Sequence, residues 1–302
     1  MTRLAKICGK EIRISGGLLR IAQLEGDGYE FLEDPEPLLD GLRKSGHRID
    51  LFTFMQRLPE TAPKYAYPME WDNFAALPVS TFDHWWMEQL GFKARNKAKQ
   101  AEKKGVTLRE VPFSDTLVRG IWEIYNETPI RQGRRFLHFG KDLDTVHREE
   151  ATFLDRSVFI GAFVGDKLIG FVKLVADETG TQAGLMNILS LVAQRDKAPT
   201  NALVAQAVRS CADRRISYLV YSQFAYGIKV QSSITDFKER NGFQRINVPR
   251  YYVPFTYFGR TALHLGLHHR FVDRLPESVV GRLRELRNAW YNRKPQTSKE
   301  SA

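Results

Sequence analysis

The chain has 302 residues, of which 43% are hydrophobic and 12% aromatic, enough to bury a sizeable core in one large domain or two smaller ones. This composition excludes a disordered or fibrous protein, and Cys8 and Cys211 are too few and too isolated for a disulfide framework or a cysteine zinc site. The 45 basic residues against 35 acidic leave +10, with +5 in 91–105 and +7 in 241–302. Such a balance suits nucleic acid, anionic lipid or phosphorylated small molecules, or is simply a solvated basic face.

Near the N-terminus Arg3, Lys6, Lys10, Glu11 and Arg13 have no apolar core behind them. The longest apolar run, around 185–193, is interrupted by Asn187 and Ser190 and falls far short of the roughly 20 residues of a spanning helix. A cytoplasmic protein is expected, with peripheral contact to a membrane surface as an option.

Residues 1–80 read as short strands and turns. Segments 11–14 and 18–23 flank Gly16-Gly17 as a hairpin, 49–55 is an apolar strand, and Pro59, Pro63 and Pro68 then break regular structure. A helix starts at Ser80-Thr81, with Asp83 in position for a capping box on Ser80. Trp86, Leu90, Ala94, Ala98 and Ala101 form its inner stripe, Lys93, Arg95, Lys97, Lys99, Lys103 and Lys104 its outer face, and Gly105 its C-cap.

A regular order follows. Residues 106–111 predict a strand, 116–125 a helix, 131–135 a basic loop and 143–154 a second helix. Segments 158–164 and 168–175 form a hairpin through Gly165-Asp166, and 185–192 is a further strand. A helix over 201–215 turns Leu203, Val204, Ala207, Val208 and Cys211 inward, which makes Cys211 a buried thiol. Segment 216–221 is a strand, 234–241 a short helix and 243–257 two strands. From 259 onward the tail reads as helical, with Leu275, Val279, Leu283, Leu286 and Trp290 opposed by Arg282, Arg284 and Arg293, and 296–302 as a disordered end. The sum predicts an α/β (α+β) protein, a mixed central sheet flanked by helices. Its expected divisions are a β-rich region over 1–80, a main domain over 81–258 and a basic helical tail over 259–302.

His264 and His268 stand four apart with His269 adjacent, but no Glu follows His264 and the sequence shows no third ligand. No metal is expected.

The order of elements resembles the GNAT acyltransferase fold, and local motifs support the resemblance from about Trp85 to Tyr257. The hairpin with Asp166 at its turn, followed by Leu168-Ile169-Gly170-Phe171-Val172, is similar to one found in many of these proteins. Arg195, Ala198 and Thr200 fall where the family places Gln or Arg, Gly, and Gly or Ala before a helix. There, backbone N–H groups hold the CoA pyrophosphate. Both glycines are missing here, and Thr200 or Asn201 reads equally as a plain helix cap. Phe237-Lys238-Glu239-Arg240-Asn241-Gly242-Phe243 resembles the end of the last helix in the family, with Lys238 where an acid-donating Tyr is usual.

Phe237-Lys238 looks like the Fem-type aminoacyltransferases of peptidoglycan bridge synthesis. The basic helix from Lys93 to Lys104 before Gly105-Val106, and Glu127-Thr128 followed by Arg131-Gln132-Gly133, are similar to that branch too. The long coiled-coil arm of many Fem-type enzymes has no counterpart, and 1–80 reads as a reduced half of the same fold.

The resemblance implies a site. Leu191 and Val192 would offer backbone donors to an acyl-CoA, such as acetyl-CoA, with Arg195, Ala198, Thr200 and Asn201 at its pyrophosphate. Lys238 would hold an anionic group or donate a proton. Arg131, Arg134 and Arg135 would approach an acceptor, with Tyr221, Ser222, Gln223 and Tyr226 nearby. Three functions follow as expectations: acyl transfer from acyl-CoA to an amine on a small molecule or cell-envelope precursor, aminoacyl transfer from aminoacyl-tRNA, and non-catalytic binding of an anionic ligand or partner. The basic tail suits either an anionic membrane surface or docking on the protein's own sheet.

Overall fold

The structure is a computed structural model and describes residues 2–131, 133–224 and 233–269. β1 (Arg3–Ile7) leads into β2 (Lys10–Ser15) and β3 (Ile21–Leu24), along which burial alternates, so Ile12, Ile14, Ala22 and Leu24 are buried on one face. α1 (Glu36–Lys44) crosses from β3 to β4 (Leu51–Met55), which pairs parallel with it, and packs Leu38, Leu39 and Leu42 against this end of the sheet. The sequence reading of 1–80 as strands and turns omits α1, whose start carries Pro35 and Pro37. Both stand at the helix start, where proline lacks only an N–H that has no helical partner anyway. It also omits β1 and the ten-residue β5 (Met69–Pro78), whose first half is polar and whose second half, Phe74 to Leu77, is buried.

The single helix expected over 80–105 is broken in two. Thr81, not Ser80, caps α2 (Phe82–His84) by accepting the His84 N–H at 3.1 Å. Trp85–Gln89 then widens into a π-helical turn that ends in extended backbone at Leu90. α3 (Phe92–Lys103) begins afresh after Gly91, whose N–H reaches the Arg240 carbonyl at 2.9 Å. A Cβ at Gly91 would lie 3.0 Å from that oxygen, so the close approach favours glycine. The break shifts the inner stripe, so that Trp85 is buried and Trp86 only partly. Arg95 turns inward as well, donating to the carbonyls of Met87 and Leu90 at 2.9 and 3.1 Å.

β6 (Thr107–Val111), α4 (Asp115–Asn126), the short ribbon of β7 (Ile130–Arg131) and β8 (Arg134–Arg135), and α5 (Leu143–Glu150) come next. The expected hairpin is present as β9 (Ser157–Val164) and β10 (Lys167–Ala176), followed by β11 (Gln182–Ser190) and α6 (Pro199–Asp213). β12 (Tyr218–Val220), α7 (Ser233–Arg240), β13 (Gln244–Pro254) and α8 (Tyr257–His264) complete the order. α5 stops short of 154, and Phe153 takes left-handed backbone at φ 55°. The two strands expected over 243–257 are one, because β13 finds partners along its whole length: β5 from Gln244 to Tyr251 and β4 from Arg250 to Pro254.

Eleven strands form one mixed sheet in the order β1-β2-β3-β4-β13-β5-β12-β11-β10-β9-β6. α6 packs Leu203, Val204, Ala207, Val208 and the buried Cys211 into the main core, and burial pushes that thiol up to about 12. A polar knot pins α4 and α5 to β10 and β11. The Tyr125 hydroxyl and Asn187 amide both donate to Glu150 Oε1, at 2.7 and 2.9 Å, and Lys173 Nζ donates to the Glu150 and Thr152 carbonyls. Burial raises the Glu150 carboxyl above its ordinary value. Among the described residues no helix is long and apolar enough to cross a membrane. The tail stripe over 275–290 and the end over 296–302 lie outside the described residues.

Candidate functional site

β11 and β12 pair in parallel only where Gln182 to Gly184 face Tyr218 to Val220, yet β11 runs on to Ser190. Beyond Gly184 the sheet is open between them. The chain after β12 stays on β5, its partner on the other edge: the Tyr221 N–H donates to the Ala75 carbonyl at 2.7 Å, and the Ala75 N–H to the Ser222 carbonyl at 2.9 Å. Ser222 has left-handed backbone at φ 51°, a conformation that costs a non-glycine residue about 1–3 kcal/mol.

A cavity of about 620 Å³ lies at the end of β11, between α3, the start of α6, and α7. Lys93, Lys97, Arg195 and Arg240 bring positive charge to its wall, and among the described residues no acidic side chain lines it. Of the turn residues expected to hold a cofactor, Arg195, Ala198, Thr200 and Asn201 all line this cavity. They are not one loop, however. Ala198 adopts left-handed backbone at φ 52°, Pro199 opens the helix, and Thr200 and Asn201 already belong to its first turn. Ala198 has no side-chain oxygen to cap α6, so the helix start faces the cavity with its positive dipole end uncapped. Thr200 Oγ1 and Ser190 Oγ share a hydrogen bond of 3.1 Å across the mouth. α3 is tied to this loop by Lys104 Nζ on Asp196 at 2.9 Å and by Gln100 Nε2 on the Asp196 carbonyl at 2.8 Å.

The expected backbone donors are engaged. The Leu191 N–H donates to the Ile169 carbonyl at 2.8 Å, which continues the β10–β11 ladder. The Val192 N–H donates to Glu127 Oε2 at 2.6 Å, and the Ala193 N–H to Glu127 Oε1 at 2.9 Å. Arg131 holds this carboxylate in place. Its guanidinium reaches Glu127 at 3.3 Å, the Ser190 carbonyl at 2.8 Å and the Ile124 carbonyl at 2.6 Å, over the Phe136 ring. Burial lowers the Arg131 pKa, with Glu127 opposing that effect. Arg131 is therefore an interior brace rather than a loop residue reaching for substrate. Arg134 and Arg135 are exposed on β8, and none of the three arginines lines the basic cavity.

Lys238 is fully buried, not an exposed helix lysine. Its ammonium donates to the Gln223 carbonyl and lies 4.8 Å from the Tyr221 ring centre, and burial lowers its pKa to about 8. Gln223 Nε2 in turn donates to Asp72 Oδ1 at 2.8 Å. Asp72, Gln223 and Ser222 line a second, smaller cavity of about 170 Å³, with Asp27, Tyr29 and Arg250. Arg250 bridges both carboxylates at 2.9 Å, which raises its pKa further. Phe237 thus lines the basic cavity while its neighbour Lys238 bonds to the wall of the second. Tyr226 lies outside the described residues.

Sequence reasoning named none of Lys93, Lys97, Arg240 and Glu127 as a site residue. The lysines were legible as a basic helix face, and Glu127 stood within a segment resembling the Fem-type loop. Their convergence depends on the break at Gly91 and on the β11–β12 opening, which no local pattern encodes.

No protein-family model and no curated protein matches the sequence. Solved structures do match in shape. The C-terminal domain assigned to a lysylphosphatidylglycerol synthetase from Agrobacterium fabrum superposes with a TM-score of 0.55 at 12% identity, over 87% of each chain. The L-PGS structure from Bacillus licheniformis gives 0.54 at 12% identity, also over 87% of each chain. FemX gives 0.54 at 10% identity, over 88% of this chain and 90% of its own. At these identities the likeness is one of fold, and it agrees with the motif order read from the sequence. The chain has a Fem-like GNAT fold.

Proposed function

We propose that this protein is an N-acyltransferase whose activated donor rides on a phosphate-bearing carrier held in the basic cavity. The observation that carries this reading is the cavity wall itself. Four cationic side chains and an uncapped helix start converge there, with no acidic residue among the described lining. Acyl-CoA is the first donor to test, since Arg195, Ala198, Thr200 and Asn201 all reach this cavity. The second cavity suits the acceptor. Asp27 and Asp72 against Arg250 leave it net negative, which favours a protonated amine.

Lys238 stands between the two. With its pKa near 8, it can hold and release a proton near neutral pH, so it is the residue proposed to assist proton transfer. Aminoacyl-tRNA is a second reading, favoured by two observations. The outer face of α3 carries Lys93, Lys97, Lys99 and Lys103 beyond what one pyrophosphate needs. Glu127 also occupies two backbone donors beside the cavity. The superposition on FemX and the lysylphosphatidylglycerol synthetases supports that reading by fold.

Calorimetric titration with CoA, acetyl-CoA and bulk tRNA tests both. Saturable heat with CoA that Arg240→Glu removes supports the first donor. Salt-sensitive tRNA binding without CoA binding selects the second. Binding of neither removes the proposal.

A further inference from the structure

Two histidines near the end of the described chain converge with a glutamate about two hundred residues earlier. His268 Nε2 lies 3.0 Å and His269 Nε2 lies 3.2 Å from the same Glu70 oxygen, and the three donor atoms all fall within 4.8 Å of one another. We propose that Glu70, His268 and His269 form a binding site for a divalent transition-metal ion of the zinc class.

The spacing fits the chemistry. Zinc bonds of about 2.0–2.1 Å in tetrahedral array place ligand atoms about 3.3 Å apart, close to the two separations from the Glu70 oxygen to the histidines. Two imidazoles and one carboxylate are a borderline donor set that suits zinc, nickel or copper over magnesium or calcium. Three protein ligands also leave one position for water.

The site is built rather than incidental. Thr256 caps α8 by accepting the Gly259 N–H at 2.9 Å, and its hydroxyl donates to Asp50 Oδ1 at 2.9 Å. A Cβ at Gly259 would lie 2.0 Å from the Asp50 carbonyl oxygen, so α8 sits hard against the start of β4. The helix ends at His264, and Gly266 follows in left-handed backbone at φ 65°, with the Leu267 N–H returning to the Ala262 carbonyl at 2.7 Å. That left-handed turn directs the next two residues back over β5. The His268 side chain is 2% exposed, with its ring against Tyr252 at 4.6 Å, whereas His269 stays open to solvent. One ligand is therefore fixed by packing and the other is accessible to an arriving ion.

The motif was hidden in the sequence because His264 and His268 have helical spacing, which points to the wrong pair. α8 ends at His264, and the helix break gives His269, not His264, to the cluster.

The test is titration of the full chain, purified without a histidine tag and freed of metal, with zinc chloride. The expected result is saturable binding of one ion, weakened at least tenfold in Glu70→Gln and in His269→Ala but unchanged in His264→Ala. His269 and His264 are both exposed, so neither variant is expected to disturb folding, and circular dichroism checks this. Absence of saturable binding in the wild type overturns the proposal. So does equal affinity in Glu70→Gln, which would leave two adjacent histidines acting as a nonspecific chelate.

Discussion

The Glu127 carboxylate accepts the Val192 N–H at 2.6 Å and the neighbouring Ala193 N–H at 2.9 Å, and so fills two backbone donors at the end of β11. These N–H groups begin the turn that leads to α6, where a negatively charged ligand would otherwise find them. Hydrogen bonds to a charged group contribute about 1.5–3 kcal/mol each in favourable cases. Glu127→Ala is therefore expected to lower stability by about 2 kcal/mol in denaturant unfolding while strengthening CoA binding several-fold. Weaker binding in this variant would show that Glu127 serves the ligand instead of competing with it.

Cations around the basic cavity should act mainly through charge. Lys97 and Arg240 are exposed, so reversing either to Glu changes the cavity's potential with little effect on the core. Each reversal is expected to weaken binding of the phosphate-bearing donor about tenfold, or about 1.4 kcal/mol. The loss should shrink as salt is raised, because exposed charges are screened. A loss independent of salt would mean that the contact is not electrostatic.

Burial lowers both Lys173 and Lys238 to about 8. An unfolded lysine keeps its proton up to about 10.4. Between these values the unfolded chain binds more protons than the folded one, so these two groups make stability rise as pH increases from about 8 to about 10. Below about 8 the buried ammonium groups weigh against folding throughout. Lys173→Met and Lys238→Met should each flatten the rise, read as urea midpoints at pH 8, 9 and 10. Parallel slopes in wild type and variants would contradict the depressed values. In the same pair of variants only Lys238→Met is expected to lower turnover, by about a hundredfold, the typical share of a positioned proton donor or acceptor.

Ala198 holds left-handed backbone, which costs a residue with a Cβ about 1–2 kcal/mol. Ala198→Gly is expected to stabilise the fold by up to about 1 kcal/mol, since glycine's greater freedom when unfolded offsets part of the relief. It also removes the Cβ nearest the start of α6. Tighter CoA binding with no loss in melting temperature is the expected outcome, and a lower melting temperature would show that the methyl's packing outweighs its strain.

Much of the fold was legible locally. The β9–β10 hairpin follows from two nearly continuous apolar runs on either side of Gly165-Asp166, and α6 from the stripe of Leu203, Val204, Ala207, Val208 and Cys211. Those signals are local, a short apolar run beside a turn in one case and an apolar stripe at helical spacing in the other. α1 and β5 escaped because prolines at a helix start and polar residues in a half-covered strand carry the opposite local signal.

By itself the sequence determined most of the element order from β6 to α7, the buried thiol of Cys211 and the basic face of α3, and it singled out Lys238 beside Phe237 as a candidate. Tertiary structure alone decided what those parts face. Gly91 lets α3 begin afresh where its backbone approaches Arg240, and the short β12, held by β5 on its other edge, leaves β11 without a partner beyond Gly184. Glu127 meets Val192 across 65 residues, and Glu70 meets His268 across 198, for the same reason. Charges and hydrogen-bonding groups interact through distances of a few ångströms, which chain separation does not predict and only packing can set.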